Sequence, residues 1–169
     1  MEFKKYDHSI QEKKIYNFWE KKDAFKPIPT KSKKKVFSIV IPPPNITGRL
    51  HMGHALNNSL QDLLVRFYRM KGHETLWQPG TDHAGIATQA IVEKNLAKNN
   101  INKNDIGRDE FINKVWEWKT ESGGLILEQL KKLGCSCDWS RARFTMDDDM
   151  SKAVTKVFVT LFNKKLIYK

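Results

Sequence analysis

The sequence predicts an α/β fold with a parallel sheet, on the basis of three observations. A nearly continuous apolar run over residues 36–41 ends at three prolines, which is typical of a strand in a parallel sheet. An amphipathic helical pattern follows from Gly53 to Gly72. A second strand over residues 74–77 comes directly after that helix. A strand, a helix and a strand in this order form the right-handed unit of parallel sheets.

The apolar residues of the first elements predict which faces are buried. The strand over residues 36–41 is expected to be buried on both faces, because its apolar, mostly β-branched residues are nearly continuous. A capping box at Ser9 starts a first helix that continues to about Lys22. The residues expected to pack on the core are Ile15, Phe18 and Trp19 in this helix and Leu56, Leu60, Leu63, Leu64 and Phe67 in the next.

Three further helices are predicted from their caps and stop signals. The first covers residues 85–98 and is followed by an exposed polar connection. A long helix covers residues 109–133, is weakened at Gly123 and Gly124, and ends at Gly134. Thr145 is predicted to cap the last helix, whose apolar stripe consists of Met150, Val154, Val157, Phe158 and Leu161.

The composition excludes several classes of protein. The 169 residues are 40% hydrophobic and 29% charged, which excludes wholesale disorder and suffices for a core without metal or disulfide. No apolar run reaches the roughly 18 residues that span a membrane, and the N-terminus lacks the apolar segment of a secretory signal. We therefore expect a cytoplasmic protein.

The cysteines and three of the tryptophans are interpreted as packing residues. Cys135 and Cys137 are separated by one residue, too close for an ordinary disulfide. Trp116, Trp118 and Trp139 are interpreted as core aromatics, with stacking on nucleic-acid bases as the alternative.

The chain is basic, with 30 Lys and Arg against 19 Asp and Glu and a formal net charge of +11. Residues 1–35 hold 11 Lys and 5 acids, or +6 of this charge, and we predict that they form an N-terminal helix with a basic lead-in. A basic face attracts nucleic acid. The cations are 24 Lys against 6 Arg, however, and nucleic-acid sites favour Arg. The charge therefore fits both a nucleic-acid surface and an ordinary solvated surface.

The residues with chemical potential lie in the segment 42–54, between the first strand and the second helix. Open α/β sheets bind nucleotides at such a junction, where the helix start offers free N–H groups and a positive dipole to phosphate. His51 and His54 lie one turn apart, so both imidazoles can donate to one anion and stabilise charge on an α-phosphate under attack. Gly53 leaves room for a base or ribose against the backbone. A zinc hydrolase built on His51, His54 and His83 is an alternative, although the H-E-x-x-H spacing is absent.

Three motifs carry a resemblance to a known family. The segment P-P-P-N-I-T-G-R-L-H-M-G-H over residues 42–54 resembles the class I aminoacyl-tRNA synthetases, in the form of their valyl members. P-G-T-D-H-A-G-I-A-T-Q over residues 79–89 is similar to a second motif of those members, and C-D-W-S-R over residues 137–141 is a third match. The resemblance implies that residues 36–169 form the first half of a Rossmann-like parallel nucleotide-binding fold, with extra helices and an incomplete sheet.

The resemblance also implies roles for individual residues. His51 and His54 would act in catalysis, at the phosphates of ATP, while the carboxylate of valine attacks the α-phosphorus. ATP, with Mg²⁺ as its counter-ion, would contact Pro44, Asn45, Thr47, Gly48, His51, Met52, Gly53 and His54. Valine would contact Pro43, Asn45 and Asp82, with the Asp82 carboxylate on its ammonium group. A helix N-cap is the alternative role of Asp82. No resident metal is implied.

Parts of that family are not found in this sequence. It lacks a K-M-S-K-S motif after the last strand, an editing domain and anticodon-binding helices, and residues 166–169 resemble the start of the editing insertion. We therefore expect an N-terminal fragment of a larger enzyme whose partners are valine, ATP, tRNA(Val) and the missing C-terminal part. A stand-alone, non-enzymatic nucleotide-binding module is the alternative. With two convincing strands, the chain is expected to expose apolar surface and to depend on a partner or aggregate.

Overall fold

The computed structural model describes residues 6–28 and 34–169. In chain order these residues form α1 (His8–Lys21), β1 (Val36–Val40), α2 (Met52–Met70), β2 (Glu74–Gln78), β3 (Gly80–Thr81), α3 (Ile86–Ala97), α4 (Lys103–Lys132), a 3₁₀ turn (Trp139–Arg141), β4 (Arg143–Phe144) and α5 (Asp148–Asn163). The predicted helices and the two predicted strands are confirmed, and β3 and β4 are additional. The predicted capping box at Ser9 is wrong, because the N-cap of α1 is Asp7, whose carboxylate accepts from the N–H of Ser9. The basic lead-in before β1 lies mostly outside the described residues, so the division at residue 35 stays a prediction.

The strands form two short sheets, and the first contains the predicted strand–helix–strand unit. β1 and β2 pair in parallel with Val36 opposite Glu74, and α2 connects them. β3 and β4 form a second short parallel pair with Gly80 opposite Arg143. A side chain at Gly80 has no room, because a Cβ there would lie 2.8 Å from the carbonyl oxygen of Arg143. Both pairs are parallel, in agreement with the predicted α/β class.

β1 is less buried than its apolar sequence predicts. Val36 and Val40 are 73% and 67% exposed, whereas Phe37 and Ile39 are half-buried. The prediction of burial on both faces is therefore wrong. Alternate side chains of a strand point to opposite faces. One face carries Phe37, whose ring stacks on Tyr68 of α2 at 4.2 Å, and the other face lacks a covering layer among the described residues.

α2 packs through a mainly polar face and not through its apolar stripe. The side chains predicted to lie in the core are between 45% and 65% exposed. They form the leucine stripe of α2, which consists of Leu56, Leu60, Leu63, Leu64 and Phe67. The buried residues of the helix are Asn58, Gln61 and Val65. Gln61 Oε1 accepts a 3.1 Å hydrogen bond from the indole of the buried Trp77 in β2. The burial prediction is wrong because such contacts fix a rotation of the helix that leaves the stripe exposed.

α1 is attached to the rest of the chain through Tyr16. Its buried hydroxyl donates a 2.6 Å hydrogen bond to the carbonyl oxygen of Cys135 and accepts one of 2.7 Å from the indole of Trp139. Of the three predicted core residues in this helix, Trp19 is half-buried, and Ile15 and Phe18 are exposed. The predicted apolar face is therefore correct for Trp19 alone.

The core joins the sheet to α2 and α4, and it contains both cysteines. Its buried members are Ile41, Ile46, Val65, Trp77, Ile126, Leu130, Cys135, Cys137 and Phe144. Burial raises the pKa of the Cys135 thiol to about 12 and also raises the pKa of Cys137. Both thiols are protonated at neutral pH, and the prediction that they are packing groups is confirmed.

α4 and α5 differ from the prediction in their details. α4 has its irregular residue at Gly107, with φ 75° and ψ 173°, and continues without a break through the predicted weak point at Gly123 and Gly124. Gly123 is buried next to Ile46, and this packing outweighs the low helix propensity of glycine. The N-cap of α5 is Asp147, so the predicted cap Thr145 is wrong, and none of the residues of α5 is buried. No described helix is both long and apolar enough to cross a membrane.

Candidate functional site

The loop after β1 lies alongside the residues that follow β3. The backbone N–H of Asp82 donates to the carbonyl oxygen of Pro44 at 2.8 Å, and the N–H of Ile46 donates to the carbonyl oxygen of Asp82 at 3.0 Å. These two hydrogen bonds form a parallel bridge between Asn45 and Asp82. The fold thus brings together two of the three residues predicted to bind valine.

Ile46 anchors this loop to α4. Its carbonyl oxygen accepts hydrogen bonds from the indole of Trp118 at 2.7 Å and from the hydroxyl of Ser122 at 3.0 Å. At the end of the loop, the backbone N–H of Leu50 donates to the side chain of Gln129 at 3.0 Å. All three partners are on α4, more than 70 positions along the chain, and no local sequence pattern indicates them.

His51 and His54 cap the N-terminus of α2. Nδ1 of His51 accepts a hydrogen bond from the N–H of Gly53 at 3.1 Å, and Nδ1 of His54 accepts one from the N–H of His51 at 3.2 Å. The ring centroids are 4.0 Å apart. Because each Nδ1 is an acceptor, the proton of each neutral ring lies on Nε2. The pair therefore offers two Nε2–H donors at the positive end of the helix dipole.

The hydrogen bond that His54 accepts in this cap requires its neutral ring. Burial lowers the pKa of His54, and the neighbouring His51 lowers it further. At neutral pH the His54 ring therefore keeps Nδ1 as an acceptor for the helix and Nε2–H as a donor. Binding of a phosphate oxygen to this ring requires no change of its charge.

Gly53 is needed by the same cap. A Cβ at this position would lie 2.9 Å from Cε1 and 3.1 Å from Nδ1 of His51. Any side chain at residue 53 would therefore displace the capping ring. The expectation that this glycine leaves room for a base or ribose stays a prediction, and the structure adds a second reason for glycine.

The Asp82 carboxylate contacts Thr145, which is distant in sequence, and its neighbour His83. Its Oδ1 accepts a 2.9 Å hydrogen bond from the hydroxyl of Thr145 and lies 3.3 Å from Nδ1 of His83. The N-cap of α3 is Gly85, so the alternative role of Asp82 as an N-cap is wrong. Thr145 was missed as a site residue because β3 and β4 are too short to be recognised from the sequence.

The other predicted site residues lie along the same loop. Pro44 is buried, Thr47 and Gly48 are half-buried, and Pro43 is exposed. Met52, the first residue of α2, is 81% exposed. The structure thus forms two groups, Asn45 with Asp82 and His51 with His54, which residues 46–50 connect. The roles of these residues toward ATP and valine remain predictions.

The zinc alternative has no support in the structure. Nδ1 of His83 faces Thr145 and Asp82. No group of three or more histidine, cysteine, aspartate or glutamate residues suited to a metal occurs within residues 6–28 and 34–169. The donors present at the start of α2 fit phosphate oxygens.

The three tryptophans have different surroundings. The indole N–H groups of Trp118 and Trp139 are bonded inside the protein, to Ile46 and Tyr16, which confirms their interpretation as core-facing residues. Trp116 is 42% exposed and its ring makes a T-shaped contact with Phe144, so the interpretation as a core residue is only partly correct there.

Known proteins resemble the chain in sequence and in fold. A family model described as tRNA synthetases class I (I, L, M and V) matches residues 14–169. Valine–tRNA ligases of Pelagibacter ubique and Mesorhizobium japonicum are 69% and 60% identical to it, each over 98% of this chain and 18% of the relative. A solved LeuRS structure from Agrobacterium radiobacter, a ternary complex with tRNA and LeuAMS, has a TM-score of 0.76 at 24% identity. The match covers 97% of this chain and 19% of the LeuRS chain, and it shows the fold alone.

The chain therefore spans less than a fifth of the length of the curated relatives it matches. Its two parallel strand pairs are short and do not close into one sheet, which agrees with the predicted first half of a Rossmann-like fold. The family model matches residues 14–169, and the chain therefore belongs to the class I tRNA synthetases of the I, L, M and V group.

Proposed function

We propose that the chain is the ATP- and valine-binding part of a valine–tRNA ligase, which activates valine as valyl-adenylate and transfers it to tRNA(Val). Relatives named valine–tRNA ligase, 55–69% identical, support the choice of valine. The observation that carries the proposal is the His51–His54 cap, which places two Nε2–H donors beside a loop bonded to Asp82. In this proposal the contacts with tRNA lie mostly in the remainder of the longer enzyme.

The histidine pair suits the activation step. A carboxylate oxygen of valine forms a bond to the α-phosphorus of ATP, the bond from that phosphorus to the bridging oxygen of the β-phosphate breaks, and pyrophosphate leaves. Negative charge redistributes over the phosphate oxygens during this step. Donors that are fixed before ATP binds stabilise this charge without reorganisation, and the cap fixes both rings.

Asp82 suits the ammonium group of valine. A carboxylate is the natural partner of a cation in a partly desolvated site, and the Asp82 side chain is 34% exposed. The parallel bridge sets Asn45 beside it, and Pro43 lies two residues before Asn45 as an apolar wall for the isopropyl group. Such a wall excludes larger side chains by bulk.

Mg²⁺ would bind as the counter-ion of ATP. Since the described residues contain no cluster of three potential metal ligands, the chain supplies donors to the phosphate oxygens and the metal would neutralise part of their charge. The alternative of a stand-alone nucleotide-binding module is less favoured, because it would leave the leucine stripe of α2 in water.

The test is valine-dependent exchange of pyrophosphate into ATP. The protein is the Pelagibacter ubique ligase with its matching segment replaced by this chain, since the two are 69% identical over 165 residues. We expect exchange in the unsubstituted chimera and a loss of roughly a hundredfold or more in His51→Asn. Asparagine is a good N-cap, so this variant keeps the helix start and removes the imidazole donor.

His8→Asn is the matched control, since His8 is an exposed histidine in the first turn of α1. We expect it to leave the exchange rate unchanged. Equal exchange rates in His51→Asn and the unsubstituted chimera would overturn the catalytic assignment. A folded chimera whose exchange does not depend on valine would overturn the proposed function.

A further inference from the structure

We propose that Thr145 is a positioning residue for the Asp82 carboxylate: its hydroxyl fixes Oδ1, so that Oδ2 is presented to the ammonium group of the amino acid. This inference rests on the proposed function, because it concerns how Asp82 binds valine. It assigns a role to a residue that lies 63 positions from Asp82 in the chain.

The hydrogen bonds of the Thr145 hydroxyl show how it acts. It donates its single proton to Asp82 Oδ1 at 2.9 Å and accepts a 2.9 Å hydrogen bond from the backbone N–H of His83. Nδ1 of His83 lies 2.5 Å from the hydroxyl oxygen of Thr145. Because the hydroxyl proton is directed to Asp82, Nδ1 of His83 must carry the proton of that contact. One hydroxyl thus joins the backbone and ring of His83 to the Asp82 carboxylate.

The backbone holds this hydroxyl in place. The N–H of Thr145 donates to the carbonyl oxygen of Thr81 at 3.2 Å and so continues the pairing of β3 with β4. From the other side, the hydroxyl of the buried Thr88 in α3 donates to the carbonyl oxygen of His83 at 2.5 Å. Residues 81–83 are therefore held between β4 and α3.

The second carboxylate oxygen of Asp82 is available to a ligand. Oδ2 accepts no hydrogen bond from the residues that the structure describes, and the side chain is 34% exposed. With Oδ1 fixed by Thr145, the carboxylate has one preferred orientation before the ligand arrives. A preorganised acceptor binds a cation more tightly, because less conformational freedom is lost on binding.

The first test compares variants of the chimera in pyrophosphate exchange. Thr145→Val keeps the shape and removes the hydroxyl, and we expect the KM for valine to rise roughly tenfold with little change in kcat or in the KM for ATP. Thr145→Ser keeps the hydroxyl and should restore the KM for valine. Thr75→Val is the matched control, since Thr75 is a buried threonine of β2 whose hydroxyl donates to the carbonyl oxygen of His73. It should leave the KM for valine unchanged.

The second test asks whether Thr145 acts through Asp82. In an Asp82→Ala background, Thr145→Val should add nothing to the KM for valine, because the carboxylate it positions is gone. If Thr145→Val does not fold, Thr145→Ala takes its place in both backgrounds. Additive effects of the two substitutions, or a KM change for ATP instead of valine, would overturn the positioning role.

The outcomes also separate this inference from the function on which it rests. If Asp82→Ala raises the KM for valine and Thr145→Val does not, the positioning role fails and the proposed function stands. If the folded, unsubstituted chimera shows no valine-dependent exchange, the proposed function itself fails.

Discussion

The backbone N–H of His51 donates a 3.2 Å hydrogen bond to Nδ1 of His54, while Nδ1 of His51 accepts one from Gly53. The two histidines proposed to contact the phosphates of ATP are therefore the same residues that cap the start of α2. An alanine at His51 would remove the cap and the Nε2–H donor together. Substitutions that keep one of these and remove the other are needed to distinguish the roles.

Gly53→Ala should disturb the cap without changing either histidine. Its Cβ would lie 2.9 Å from Cε1 of His51, so the ring must move and the cap weaken by about 1 kcal/mol, which offsets the gain in helix propensity, and we expect a net change below about 0.5 kcal/mol in the free energy of unfolding. Urea denaturation, monitored by circular dichroism, measures this free energy. Gly124→Ala is the control: Gly124 lies exposed in α4 with open space around it, and alanine there should stabilise by up to about 1 kcal/mol. Equal stabilisation by both substitutions would show that the His51 ring does not lie over Gly53.

Trp118→Phe should weaken the attachment of the site loop to α4. It removes the indole donor to the Ile46 carbonyl and is expected to lower the free energy of unfolding by about 1 kcal/mol. Adding Ser122→Ala removes the second donor, and the pair should cost more than the sum of the single changes, because the buried carbonyl then lacks both partners. Trp116→Phe, at a more exposed tryptophan, should change stability by less than about 0.5 kcal/mol. Additive effects in urea denaturation would contradict the shared role.

The buried thiols should make stability fall at alkaline pH. An unfolded thiol loses its proton near pH 9, whereas burial keeps Cys135 protonated to about 12 and also raises the pKa of Cys137. Between these values the folded state binds more protons than the unfolded state, so the free energy of unfolding decreases as pH rises above 9. Urea denaturation between about pH 8 and about pH 11 measures this slope. Cys135→Ala should reduce it, and an unchanged slope in that variant would contradict the assignment.

The leucine stripe of α2 should tolerate polar residues in this chain. Leu60→Gln and Leu63→Gln change side chains that are more than half exposed, so we expect changes below about 0.5 kcal/mol in stability together with weaker binding of hydrophobic dyes. Val65→Ala, on the buried face of the same helix, should cost about 2 kcal/mol. A large loss of stability from the glutamines would show that the stripe is buried after all.

The local elements of this chain were predictable from sequence, and their exposure was not. Prolines after residue 41 ended β1, and the glycines at 72 and 134 followed the ends of α2 and α4 as predicted. The apolar stripe of α2 was correctly recognised but assigned to the core. Amphipathicity identifies an apolar face, and only packing decides whether a neighbouring element covers it.

The candidate site also contains residues that were predictable from the sequence and residues that were not. The His51–His54 pair was predictable, because both residues lie in one segment at a strand-to-helix junction. Trp118, Ser122 and Thr145 were not, because their hydrogen bonds to the loop and to Asp82 join residues more than 60 positions apart.

The sequence by itself determined the order of the helices and of the two longer strands, the segment 42–54 and the family, since each depends on residues that are neighbours along the chain. The tertiary structure alone decided which side of α2 is buried, that Thr145 bonds to Asp82 instead of capping α5, and that Asn45 lies beside Asp82. These relationships depend on the rotation of a helix and on the pairing of two-residue strands. Distant polar partners fix both, and no periodic pattern records them.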